Sequence, residues 1–181
     1  MISLVPNDEA AARGKANGID DFFSRVNAFR AMLHNPHAAG AAYRMLDALL
    51  IHGTLSPIVR ELVILRTGWR TRSEYEFCQH VRVASQAGLS EEKILGVRDP
   101  DSCAAFSESE RAVMRMVDEL LERSEVSPAT LEILKRSFTD SDVVELLMVA
   151  GFWRTIASLL KTAKVPLDDG VPGWPEGRAP A

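Results

Sequence analysis

The chain has 181 residues, of which 46% are hydrophobic and 25% charged, with a net charge of −4 at pH 7. That composition is ordinary for a globular protein and excludes wholesale disorder. At 19.9 kDa it suits one domain with material left over for tails or an oligomer interface. A pI near 5.6, without a long basic run or interleaved basic and aromatic residues, gives no ground for nucleic-acid binding.

In chain order, residues 1–18, "MISLVPNDEAAARGKANG", are rich in Ala, Gly and Asn and predict a loose arm. They lack the basic start and apolar stretch of a signal peptide. Helical periodicity then runs almost without a break, with no convincing period-two strand. It predicts helices at about 20–33, 37–51, 57–71, 74–87, 91–97, 108–124, 128–137 and 140–162.

The punctuation agrees. Ser56-Pro57 and Ser127-Pro128 each set an N-cap serine before a first-turn proline. "SESE" from Ser107 to Glu110 has the spacing of a capping box. "AGLSEE" ends one helix near Gly88 and starts another after Ser90. The stretch "RTGWRTR", 66–72, with three arginines, reads as a solvated helix end whose cations suit the dipole. From Val143 to Leu160 the sequence is apolar almost all round, broken by Glu145 and Arg154. Those charges favour a helix buried in the domain or between subunits over a membrane span. The last residues, 165–181, hold four prolines and predict a non-helical tail lying on a surface. Two cysteines, Cys78 and Cys103, are too few for a disulfide scaffold and are not spaced as a metal site. A reducing compartment, the cytoplasm, is the expected location. The fold class is all-α.

Residues 57–88 hold the chemistry. On a helix over 57–71, Ile58, Leu62, Leu65 and Trp69 mark one stripe, and Glu61 falls inside it. An unpaired buried carboxylate costs several kcal/mol, so Glu61 needs a partner. On the next helix Phe77, Val81, Ala84 and Gly88 make the inward face, and His80 lies three after Phe77. Glu76 precedes His80 by four and shares its face. Ser73 sits two turns up that face. If the two helices pack as an antiparallel hairpin, Glu61, Ser73, Glu76 and His80 converge.

Such a set can transfer protons, because histidine titrates near neutrality and a carboxylate orients its ring. The plainer alternative is a structural hydrogen bond between Glu61 and His80 across packed helices. A metal site is the third option, but Glu76-x-x-x-His80 lacks the second motif that metal binding requires, and none is expected. His34, His37 and His52 lie near predicted helix ends, where they cap or face solvent.

The motif "RELVIL" followed by "SEYEFCQHVRVA" and "AGLS" resembles the carboxymuconolactone decarboxylase family, which includes the alkylhydroperoxidase D-type proteins. The resemblance runs from about Phe29 to Leu167, and "AKVPL" resembles the longer members. It implies a single-domain helical bundle over 19–164 between the arm and the tail. In the hydroperoxidase branch the pattern is a glutamate, then Cys-x-x-Cys, then a histidine four after the second cysteine. Aligned on His80, Ser73 takes the first cysteine position, Glu76 the second, and Glu61 the glutamate. The glutamate and histidine are kept and both redox cysteines are gone. Serine and glutamate cannot cycle through disulfide chemistry. Cys78 does not replace them, since two residues turn it roughly 200° from His80.

The decarboxylase branch resembles the chain more closely, in "E-x-x-x-H-V-R" against "EFCQHVR". The resemblance then implies a cofactor-independent lyase acting on a small carboxylated cyclic substrate. His80 is then the expected general acid/base, Glu61 its orienting or proton-sharing partner, Glu76 a second acid or substrate-positioning group, and Ser73 a donor to a substrate carboxylate. Arg82 is expected to face away. Family members assemble as dimers, trimers or hexamers, and a homo-oligomer is expected, with neither nucleic acid nor membrane as a partner. The alternatives are a peroxide reductase using a single cysteine and a non-catalytic oligomeric binding relative.

Overall fold

The computed structural model describes residues 2–180, whose regular structure is helical, with no strand among them. Its contacts divide the chain into two units, Met1–Gly53 with Leu159–Val171, and Thr54–Ser158 with Pro172–Ala181.

The first unit begins with a helix that periodicity missed. Helix α1, Asn7–Ala16, carries Asp8 and Glu9 in its first turn and Arg13 and Lys15 in its last, which complements its dipole. It offers small residues instead of an apolar stripe. Ala10 and Gly14 are buried, and a Cβ on Gly14 would fall 1.9 Å from the Ser24 hydroxyl. The helix expected over 20–33 is two, α2 at Asp21–Arg25 and α3 at Asn27–Met32, separated at Val26, whose ψ of 142° is extended. The break is capped from far away in sequence: the Asn27 amide donates to Asp168 Oδ1 at 2.7 Å. Helix α4, Pro36–Leu50, follows behind an Asn35 cap.

The second unit holds α5 (Pro57–Thr71), α6 (Glu74–Gln86), α7 (Glu91–Gly96), α8 (Glu108–Arg123), α9 (Pro128–Lys135) and α10 (Asp140–Ala163), the last belonging to this unit as far as Ser158. The serine signals hold. The side chains of Ser56, Ser90, Ser107 and Ser127 each accept an amide of the following helix, and Ser107 with Glu110 closes a full capping box.

Helix α5 is the centre of this unit. Every residue from Arg60 to Gly68 is buried, where a single stripe was expected. The price of that position is buried polarity, and it is met by pairing. Arg66 is 5% exposed, binds Asp118 through Nε at 2.8 Å and Nη2 at 2.6 Å, and donates Nη1 to the Val97 carbonyl at 2.6 Å. The solvated reading of this arginine is corrected. A two-pronged guanidinium–carboxylate bond is what permits a buried arginine.

In α10, Val143, Leu146, Val149, Trp153 and Ala157 are buried. The helix is long and apolar enough to cross a membrane on length and composition. Its interrupting charge Glu145 has a local task, accepting the Thr54 amide at 2.7 Å and the Leu55 amide at 3.3 Å. The C-terminal stretch is non-helical except for a 3₁₀ turn at Pro175–Gly177. Trp174 packs on Phe77 and Trp69 at 5.1 and 5.7 Å between ring centroids, and Arg98 lies over the Trp69 ring at 5.3 Å.

Candidate active site

The turn between α5 and α6 sets the geometry of the site. Arg72 is left-handed, with φ of 57°, and so ends α5. The Ser73 amide then returns to the Gly68 carbonyl at 2.9 Å. Gly68 lets the helices close up: a Cβ there would lie 3.0 Å from the Phe77 amide nitrogen and 3.2 Å from its Cα. The resulting hairpin carries Glu61 and His80 to each other. His80 Nδ1 and Glu61 Oε2 are 2.7 Å apart, with the Glu61 side chain fully buried and that of His80 15% exposed. The second carboxyl oxygen, Oε1, has no hydrogen-bond partner and lies 3.9 Å from Nε of the buried Arg60.

The other ring nitrogen is also engaged. Trp153, on α10 and 3% exposed, donates its indole N–H to His80 Nε2 at 3.1 Å, with the two rings edge to face. Sequence reasoning missed this residue. The sequence from Val143 to Leu160 is apolar almost all round, so it neither singles out Trp153 nor shows which partner, 73 positions away, it meets.

The expected convergence of four groups is half realised. Glu76 and Ser73 are buried on the same helix and at its cap, yet neither bonds to the Glu61–His80 pair, and Glu76 Oε1, Glu76 Oε2 and Ser73 Oγ have no hydrogen-bond partner. The reason lies in the imidazole. Glu61 and Trp153 take both of its nitrogens, so His80 has nothing left to offer a carboxyl one turn back. Ser73 and Glu76 also have capping-box spacing, but the Ser73 side chain caps nothing, in contrast to Ser107 with Glu110. Two polar side chains are thus held inside without their local partners. Arg82 is exposed, as expected. Among the described residues no group of three His, Cys, Asp or Glu side chains is placed to hold a metal.

Burial raises the Glu76 pKa well above its ordinary 4.5, so this carboxyl keeps its proton where an exposed one has lost it. The unfolded chain releases that proton near 4.5 and the folded chain does not. The folded state therefore binds more protons, and its stability falls as pH rises from there towards the folded pKa. Glu76→Gln removes this loss. Its melting temperature relative to wild type should rise as pH is raised from about 5 to about 8. A difference that stays constant with pH would show that Glu76 is ionised in the fold.

Residues 36–119 match the model of the carboxymuconolactone decarboxylase family. No curated protein matches the chain. Among solved structures, the alkylhydroperoxidase AhpD core of a peroxidase-related protein from Ralstonia eutropha aligns with a TM-score of 0.73 at 21% identity, covering 91% of this chain and 87% of that one. A peroxidase-related protein from a Silicibacter species aligns at 0.74 and 16% identity, with 92% and 88% covered. The debrominase Bmp8 in complex with 2,3,4-tribromopyrrole aligns at 0.76 and 10% identity, with 93% and 92% covered. The matched segment contains Glu61, Ser73, Glu76 and His80, and the helices around it follow the AhpD-like arrangement. The segment 36–119 is similar to the carboxymuconolactone decarboxylase family, and the chain shares the fold of the AhpD-like structures.

Proposed function

We propose that the protein is a cofactor-independent lyase that removes carbon dioxide from a small carboxylated cyclic substrate, with Glu61 and His80 handling the proton. The observation that carries this reading is the 2.7 Å bond between a fully buried carboxyl group and an imidazole that keeps some solvent access. The fold does not choose the reaction, since its neighbours bear peroxidase-related and debrominase names; the Glu61–His80 pair supports this one.

In the reaction the bond from the ring carbon to the carboxylate breaks, and carbon dioxide leaves. The electron pair passes into the conjugated carbonyl of the substrate. Once the substrate has displaced the Trp153 indole, His80 Nε2 takes a proton from solvent and passes it to the ring carbon, returning to the neutral imidazole. Glu61 holds the ring and balances the charge it acquires. Glu76, as a neutral acid, and Ser73, as a hydroxyl donor, are the groups assigned to the substrate carboxylate and carbonyl. Both are buried with unused hydrogen-bonding capacity, which supports that assignment.

Cys78 argues against thiol chemistry. Burial, with the negative charge of Glu74, pushes its pKa up to about 12, and the thiolate is the form that attacks peroxide. The active form is assigned to a homo-oligomer, supported by Val144 and Met148 on α10, which are 60% and 43% exposed. Incubation with γ-carboxymuconolactone should release carbon dioxide and leave the decarboxylated lactone. Absence of both would exclude this substrate.

A further inference from the structure

Indole nitrogen is a donor only, with no lone pair to offer. The 3.1 Å contact from Trp153 Nε1 therefore makes His80 Nε2 an acceptor, bare of a proton. The ring's proton is then on Nδ1, where it points at Glu61 Oε2, 2.7 Å away. One hydrogen bond sets the tautomer that the other needs. Trp153 is 3% exposed on α10, so in the resting protein its indole is held against the imidazole and away from solvent.

We infer that Trp153 is the positioning residue of the site: its indole N–H locks His80 as the Nδ1–H tautomer facing Glu61 and masks the Nε2 lone pair. The inference deepens the proton-transfer reading and relies on it for its catalytic meaning, while the tautomer itself exists without any substrate. In the resting protein the basic nitrogen is covered, and a substrate gains it by displacing the indole.

The test uses the full-length protein with ¹⁵N-labelled histidine, read by long-range proton–nitrogen correlation at neutral pH. His80 should show a protonated Nδ1 and an unprotonated Nε2. In Trp153→Phe, which keeps a ring but loses the donor, the Nε2 resonance should move to that of a nitrogen lone pair with no hydrogen bond. Modification of His80 by diethyl pyrocarbonate, which attacks the free nitrogen, should quicken roughly tenfold, the effect of losing one hydrogen bond. If that variant does not fold, His80→Gln reads the bond from the other side, and the Trp153 indole proton should move upfield on losing its imidazole acceptor. A wild-type His80 protonated on Nε2 would overturn the inference. So would a Trp153→Phe spectrum and reactivity equal to wild type, or a Trp153 indole proton unmoved in His80→Gln. None of these readouts needs turnover. Failure to decarboxylate any lactone therefore leaves the tautomer result standing, and a wrong tautomer leaves the choice of reaction untouched.

Discussion

Glu61→Ala is expected to cost about 3–5 kcal/mol of stability, the usual loss when one partner is taken from a buried pair. The side chain is fully buried, and its removal leaves the Nδ1–H of His80 without an acceptor and the Nε of Arg60 with no carboxylate near it. At roughly 2–4 °C per kcal/mol for a chain of this size, thermal unfolding should begin some 6–20 °C earlier. Glu61→Gln keeps the shape and one acceptor oxygen, so its loss should be about 1–1.5 kcal/mol. The two variants separate a filled volume from a carboxyl group. Equal melting temperatures for wild type and Glu61→Ala would show that the pair contributes nothing to the fold.

Gly68→Ala should also destabilise, by about 1–3 kcal/mol, because the added methyl meets the backbone of α6, and a helix cannot step aside as a side chain can. Separating α5 from α6 would also lengthen the Glu61–His80 contact, so any activity should fall together with stability. The control is Gly151→Ala on α10. It has open space around the new methyl and should gain about 0.5–1 kcal/mol from helix propensity alone. Chemical denaturation of the two variants side by side decides the matter. If both gain stability, the close approach at Gly68 is not a constraint.

These two residues show what the sequence could and could not disclose. Glu61 and His80 were legible because each lies on an apolar helical face at a spacing where a polar group needs an explanation. The serine caps were legible because capping is a local rule, satisfied within four residues. Gly68 carries no such sign, since the need for a missing side chain arises only when α6 lies against it. Helix α1 escaped for a similar reason: it packs through Ala10 and Gly14, and small residues make no hydrophobic periodicity. Arg66 was misread because its acceptors, Asp118 and the Val97 carbonyl, come from a distant helix and turn. Trp153 reached His80 in the same way. What periodicity supplies is which face a residue takes; which partner it finds there depends on tertiary packing.

The most direct test of the account is the rate of carbon dioxide release from γ-carboxymuconolactone by wild type and by His80→Ala, with thermal unfolding recorded on both. Loss of a positioned general acid/base should slow release by roughly 10²–10⁴-fold while the variant stays folded. A folded His80→Ala protein that releases carbon dioxide at the wild-type rate would contradict the role given to the Glu61–His80 pair.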